Sequence, residues 1–178
     1  MTIPNIITVG RLLLVPMIVW AIVEGYAGAA FILFVVAGVS DGIDGFIARR
    51  YDLRSRLGAY LDPLADKALL VSIFLSLTFL GEIPLWLAMI VVSRDLLIIG
   101  GVLLAWVLDR PMEVRPLYIS KINTAAQIIF AALVLGDLAF ATGLSGARDA
   151  FVIVVGVLTV ASAAAYLVDW ARHMAAQE

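Results

Sequence analysis

Four aspartates stand in two pairs, Asp41 with Asp44 and Asp62 with Asp66, separated by three and four residues. On helices both spacings put the members of a pair on one face. Asp44 and Asp62 are each nine residues from Leu53, and Asp41 and Asp66 are centred on nearly the same point. In an antiparallel hairpin the two pairs then lie at matched depth, on the order of two or three turns from its tip. Four converging carboxylates repel one another and cannot all be ionised without cations. There is no cysteine, and the one histidine, His173, lies near the end of the chain. An all-oxygen site suits hard divalent ions, Mg2+ or Mn2+, and four aspartates can bridge two of them. The competing explanation is salt bridging of these aspartates with Arg and Lys inside a membrane.

The elements that must position these groups are apolar runs. Of 178 residues, 63% are hydrophobic and 15% charged, and the mean hydropathy is +1.08. A soluble domain is about 45–50% apolar and about 25% charged, so the excess is placed in lipid. Disorder, a disulfide framework and a soluble α/β enzyme are excluded together. A net charge of −2 gives no electrostatic case for nucleic acid. Apolar runs at about 7–24, 28–48, 60–80, 83–108, 117–140 and 150–170 each approach the ~20 residues a spanning helix needs. They lack the alternation of barrel strands. The expectation is an all-α integral membrane protein of six transmembrane helices, a single membrane-embedded domain over 1–178. The start does not read as a signal peptide, because no basic residue precedes the first apolar run. Thr2-Ile3-Pro4-Asn5 suits either a short N-terminal interfacial helix or a frayed start to the first span.

Cations set the expected orientation. Arg49, Arg50, Arg54 and Arg56 fall between the second and third runs, Arg110 and Arg115 between the fourth and fifth, and Arg172 after the sixth, whereas the opposite connections carry only Arg148. The positive-inside rule puts both termini and these basic connections in the cytoplasm. Asp41, Asp44, Asp62, Asp66, Lys67, Arg94, Asp95 and Lys121 fall within or at the ends of spans. Each costs at least ~2.5–3.5 kcal/mol at membrane depth, so together they must face a shared polar cavity.

The aspartates belong to a longer pattern. Asp41-Gly42-Ile43-Asp44-Gly45-Phe46-Ile47-Ala48-Arg49 is followed after eight residues by Gly58, then by Asp62 and Asp66 at intervals of four. This resembles the signature of the CDP-alcohol phosphotransferase family at all eight specified positions. The resemblance implies a six-helix membrane enzyme, usually a homodimer, that moves a phosphatidyl or related group from a CDP-linked donor to an alcohol and releases CMP. Carried onto this chain, it implies that Asp41, Asp44, Asp62 and Asp66 hold the divalent ions, with Asp66 also the catalytic base. Gly45, Ala48, Arg49 and Gly58 would surround the CDP portion. The start, with Asn5, Thr8 and Arg11, is similar to that shared by two branches of the family, and implies contacts of those residues with the donor's nucleotide or pyrophosphate.

The acceptor alcohol is read from weaker marks. Arg94, Lys121, Arg110 and Arg115 offer basic groups to an acceptor phosphate, although Arg94 also suits pairing with a cavity aspartate. Val92-Ser93-Arg94-Asp95, and Arg115-Pro116-Leu117-Tyr118-Ile119-Ser120-Lys121-Ile122-Asn123-Thr124, resemble the CMP-forming cardiolipin synthase branch. That implies CDP-diacylglycerol and phosphatidylglycerol as substrates, in a bacterial inner membrane with the active site facing the cytoplasm. The alternative within the family is a phosphatidylglycerophosphate synthase using glycerol 3-phosphate. The alternative from another class is a small ion or proton transporter, which would more often show paired repeats or broken spans; neither is visible. Pro16 suits either a bend in the first span or ordinary tolerance within a membrane helix.

Overall fold

The computed structural model describes residues 3–50, 56–107 and 117–175, with side chains described over 8–43, 64–101 and 117–172. Among the described residues six helices follow one another: α1 (Ile3–Val23), α2 (Ala27–Arg50), α3 (Arg56–Phe79), α4 (Leu85–Val107), α5 (Tyr118–Phe140) and α6 (Ser145–Ala175). No strand occurs among the described residues. The expected all-α architecture and the order of its elements are therefore present. α1 is continuous from Ile3 through Pro16, so a separate N-terminal interfacial helix does not form; Pro4 lies in the first turn, where its missing N–H is not needed.

The ends of the helices have local causes. Gly25 adopts φ 78°, the Gly25 N–H donates to the Ile22 carbonyl (3.1 Å) and the Tyr26 N–H to the Ala21 carbonyl (2.8 Å). These are the two bonds of a Schellman cap, and they need a left-handed residue that glycine supplies without strain. The Trp20 and Tyr26 rings, 5.5 Å apart, add the apolar contact that accompanies such a cap. α3 stops in the same way at Gly81 (φ 79°), with Glu82 N–H bonded to the Leu77 carbonyl and Gly81 N–H to that of Thr78. After α5, the Asp137 carboxylate accepts from Thr142 Oγ1 (2.7 Å) and from the Leu144 N–H (3.1 Å), which fixes the turn into α6.

The chain forms two compact units, Met1–Glu82 with Ala131–Leu144, and Ile83–Phe130 with Ser145–Glu178. In the first, α1 packs on α2 and α3. Ile18, Ala21 and Ile22 of α1, Ala30, Phe34 and Ala37 of α2, and Leu69, Leu70, Ile73 and Phe74 of α3 are buried. Phe31 meets Phe140 edge-on at 5.5 Å. In the second unit α4 packs on α6. There the Trp86 ring approaches so closely that a Cβ at Gly156 would lie 3.0 Å from it.

The outward faces are apolar. Leu13, Met17 and Trp20 on α1, and Ile153, Val157 and Val160 on α6, are each more than half exposed. Among the described residues two stretches, Tyr118–Phe140 and Ser145–Arg172, are long and apolar enough to cross a membrane; Thr8–Val23 and Ala27–Ile43 are shorter apolar stretches.

Candidate active site

In the first unit α1 delivers Arg11 to the two helices that carry the signature. The residue is 1% exposed, and its Nη1 lies 2.6 Å from Asp41 Oδ1 on α2 and 2.6 Å from Asp66 Oδ1 on α3. One guanidinium nitrogen thus ties three helices together through short, charge-assisted contacts. The two aspartate side chains are each 44% exposed, so carboxylate surface stays open while the arginine lies beneath it.

α2 runs unbroken to Arg50 and α3 begins at Arg56, so the backbone puts Asp44 three residues beyond Asp41 and Asp62 one turn before Asp66. The side chains of Asp44 and Asp62 lie outside the described residues, as do those of Asn5, Gly45, Ala48, Arg49 and Gly58. Arg49 and Arg50 are helical rather than part of a loop. Thr8 is buried, at 2% exposure.

The chemistry of the described oxygens fits a divalent ion. They already converge on a single cationic atom, so their separation is at most twice its distance to either. Divalent ions such as magnesium take carboxylate oxygens of this kind as ligands. Among the described residues no three acidic or histidine groups gather at one point; the remaining two aspartates of the expected set are those whose side chains lie outside.

The second unit contains a different polar cluster. Arg94 of α4 is 3% exposed. Its Nη1 lies 2.6 Å from Asp95 Oδ1, Nε donates to Ser162 Oγ at 3.1 Å, and Nη2 donates to Ser162 Oγ at 2.8 Å and to Ser120 Oγ. Its Cζ is 5.5 Å from the centre of the Tyr166 ring. All three guanidinium nitrogens are thus engaged inside the protein, tying α4 to α5 and α6. Lys121, next to Ser120, is exposed, with its Nζ 5.6 Å from the Tyr118 ring centre. One turn further, Asn123 Oδ1 accepts from Thr159 Oγ1 at 3.0 Å. Arg110 and Arg115 lie outside the described residues.

Arg11's partners were not evident from the sequence. Its charge inside an apolar run was a visible signal, but spacing relates residues of one helix and not of three. Ser162 and Tyr166 were missed, and Ser120 was named only as part of the stretch entering α5, because serine and tyrosine are unremarkable in such spans.

Taken with the signature, six helices presenting paired aspartates define a class. The chain belongs to the CDP-alcohol phosphatidyltransferase family, whose pattern it matches over residues 1–165. Among its curated relatives, a Schizosaccharomyces pombe cardiolipin synthase (CMP-forming)/mitochondrial hydrolase fusion protein is 34% identical, over 94% of this chain and 31% of that protein. Human cardiolipin synthase (CMP-forming) is 37% identical over 74% of this chain and 49% of its own length. A rice chloroplastic CDP-diacylglycerol–glycerol-3-phosphate 3-phosphatidyltransferase is 35% identical over 80% of this chain and 48% of its own. This chain spans about a third to a half of the length of these relatives.

Proposed function

We propose that this protein is a CMP-forming cardiolipin synthase, which transfers phosphatidyl from CDP-diacylglycerol to phosphatidylglycerol. The observation that carries the catalytic assignment is the convergence of Asp41 and Asp66, from two helices, on one cation. The acceptor assignment rests on the likeness to cardiolipin synthases from yeast and human and on the basic, serine-bearing start of α5.

Asp41, Asp44, Asp62 and Asp66 would hold two divalent ions, Mg2+ or Mn2+, which when bound neutralise the pyrophosphate and polarise the attacked phosphorus. Gly45, Ala48 and Gly58 leave room for the CDP portion, and Asn5, Thr8 and Arg49 offer it polar contacts. Asp66 accepts the proton of the acceptor hydroxyl, a role a carboxylate fills when held within hydrogen-bond reach. The hydroxyl oxygen bonds to the phosphorus that carries diacylglycerol, the pyrophosphate P–O bond breaks, and CMP leaves with the electron pair.

Lys121, Arg110 and Arg115 are assigned to the acceptor's phosphodiester. Arg94 contributes from beneath: with its nitrogens committed to Asp95, Ser120 and Ser162, it holds the Ser120–Lys121 turn in place.

All six helices are assigned to the membrane, as one domain over 1–178, with both termini cytoplasmic and a homodimer as the assembly. Exposed apolar faces on α1 and α6 have lipid as their natural partner. A bacterial inner membrane is the assigned location. The protein in detergent, given CDP-diacylglycerol, Mn2+ and either phosphatidylglycerol or glycerol 3-phosphate, tests the acceptor. Cardiolipin from the first mixture alone is expected, read by mass spectrometry. Phosphatidylglycerophosphate from the second would transfer the assignment to the glycerol-phosphate branch, which the rice relative represents. CMP release from neither would favour an ion or proton path.

A further inference from the structure

The seam between α5 and α6 in the second unit contains two buried donors that the proposed reaction does not use. Ser120, Asn123 and Gln127 form one stripe on α5, at the i, i+3, i+7 spacing of a single helix face. Asn123 Oδ1 accepts from Thr159 Oγ1 of α6 at 3.0 Å, and two turns further along α5 the Phe130 ring stacks on Phe151 with centroids 6.4 Å apart. Both contacts fit one antiparallel register, which sets Gln127 opposite Val155, an apolar residue that is 0% exposed. Asn123 and Gln127 are 0% and 1% exposed, and neither Asn123 Nδ2 nor Gln127 Nε2 has a hydrogen-bond partner. We infer that these two carboxamides hold a hydroxylic oxygen between them, from water or from the glycerol headgroup of the acceptor.

The donor count gives the class of ligand. An amide NH2 only donates, so what each group lacks is an acceptor, and a buried donor without one loses its hydration uncompensated. Turning the Asn123 amide over would give Nδ2 the Thr159 hydroxyl but take that hydroxyl's proton from Oδ1, and it offers Gln127 nothing. Residues four apart on a helix have Cβ atoms about 5–6 Å apart, so two N–H···O bonds of about 2.9 Å can meet at one oxygen. A hydroxylic oxygen has two lone pairs for the two amides and a proton to give to Thr159 Oγ1, which accepts as well as donates. Charge excludes the other acceptors. The cation of the seam, Arg94, already meets Asp95 at 2.6 Å, so a carboxylate or phosphate oxygen here would be a buried charge without a counter-ion, which is strongly unfavourable. Water is the ordinary occupant of a buried polar site with two to four partners. An alcohol would enter as part of the acceptor, and that source alone rests on the proposed use of phosphatidylglycerol.

The full chain in vesicles of deuterated phosphatidylcholine, with 15N in the side chains of its two glutamines, Gln127 and Gln177, tests this by solid-state NMR. Gln177→Glu leaves the Gln127 signal alone. The reading is proton polarisation transferred to the Gln127 NH2, from water or from the glycerol C–H protons of added phosphatidylglycerol. Transfer from water that persists when phosphatidylglycerol is added identifies the oxygen as that of a buried water. Transfer from the glycerol protons in its place identifies the acceptor's hydroxyl, and the KM for phosphatidylglycerol should then rise about 2–10-fold in Gln127→Met, the worth of one hydrogen bond, with CMP binding unchanged. With either source Gln127→Met should melt about 1–6 °C lower than the wild type, since a made hydrogen bond is lost. Transfer to Gln127 from neither source overturns the inference, and Gln127→Met should then melt higher than the wild type, because an idle buried donor has been removed.

Discussion

Arg94 is where stability and substrate binding make opposite forecasts, and Arg94→Met separates them. The arginine is 3% exposed and its partner Asp95 6% exposed, with 2.6 Å between Nη1 and Oδ1. Removing one member of such a buried pair costs about 3–5 kcal/mol, because the other charge loses its compensation. The Ser120 and Ser162 hydroxyls also lose a charged donor, each contact worth about 1.5–3 kcal/mol when made, though both can turn to other acceptors. Methionine fills most of the volume, so a cavity adds little. Taking the pair alone, and about 2–4 °C per kcal/mol for a chain of this size, the melting temperature in detergent should fall by about 6–20 °C. Arg94→Met with Asp95→Leu removes both charges and should recover most of the loss, since buried ion pairs are often matched by apolar replacements. Tryptophan fluorescence during heating measures the wild type, Arg94→Met, Asp95→Leu and the double variant, and the double-mutant cycle isolates the coupling. A single variant that melts within about 2 °C of the wild type while its KM for the acceptor rises would refute the reasoning and return Arg94 to direct contact with the acceptor.

Other expectations follow from single features. Asp66→Asn should lower cardiolipin formation by about 10²–10⁴-fold, the usual worth of a general base, while Mn2+-dependent CMP binding is reduced far less; product analysis and CMP binding on one preparation check this. Removing divalent ions with EDTA should abolish CMP release from CDP-diacylglycerol, and Mn2+ should restore it. Gly156→Leu should destabilise by about 1–3 kcal/mol through overpacking, because the Trp86 ring lies 3.0 Å from where its Cβ must go; thermal melting shows this, and pairing with Trp86→Ala should relieve part of it. Gly25→Val should cost about 1–2 kcal/mol, the penalty of a left-handed conformation for a residue with a Cβ, at φ 78°.

The helices were legible because their signals are local. Apolar runs located all six, and the Schellman bonds at Gly25 and Gly81 explain two of their ends. Boundaries on the charged side were read too short: α2 continues to Arg50 and α3 already begins at Arg56, because charged residues favour water without disfavouring helix. For the same reason Ser145 to Arg148, read as connection before the sixth run, already belong to α6. The aspartate pairs could be placed on helix faces from their spacing. The partners of Arg11 and Arg94 could not, since Asp66 is 55 residues from Arg11 and Ser162 is 68 from Arg94, and only packing of helices brings them together. Arg94 was read as facing an acceptor phosphate or a cavity aspartate, and the Ser120 and Ser162 hydroxyls that also hold it lie 26 and 68 residues away.

In the proposed reaction one phosphatidyl group of the product comes from CDP-diacylglycerol, by chemistry at the aspartate pairs of α2 and α3. Deuterium-labelled phosphatidylglycerol, unlabelled CDP-diacylglycerol and Mn2+ test it in a single mass-spectrometric experiment on the purified protein. The expected product is cardiolipin with one labelled and one unlabelled phosphatidyl half, formed mole for mole with CMP and lost in Asp66→Asn. Cardiolipin labelled in both halves, or formed without CMP, would contradict it.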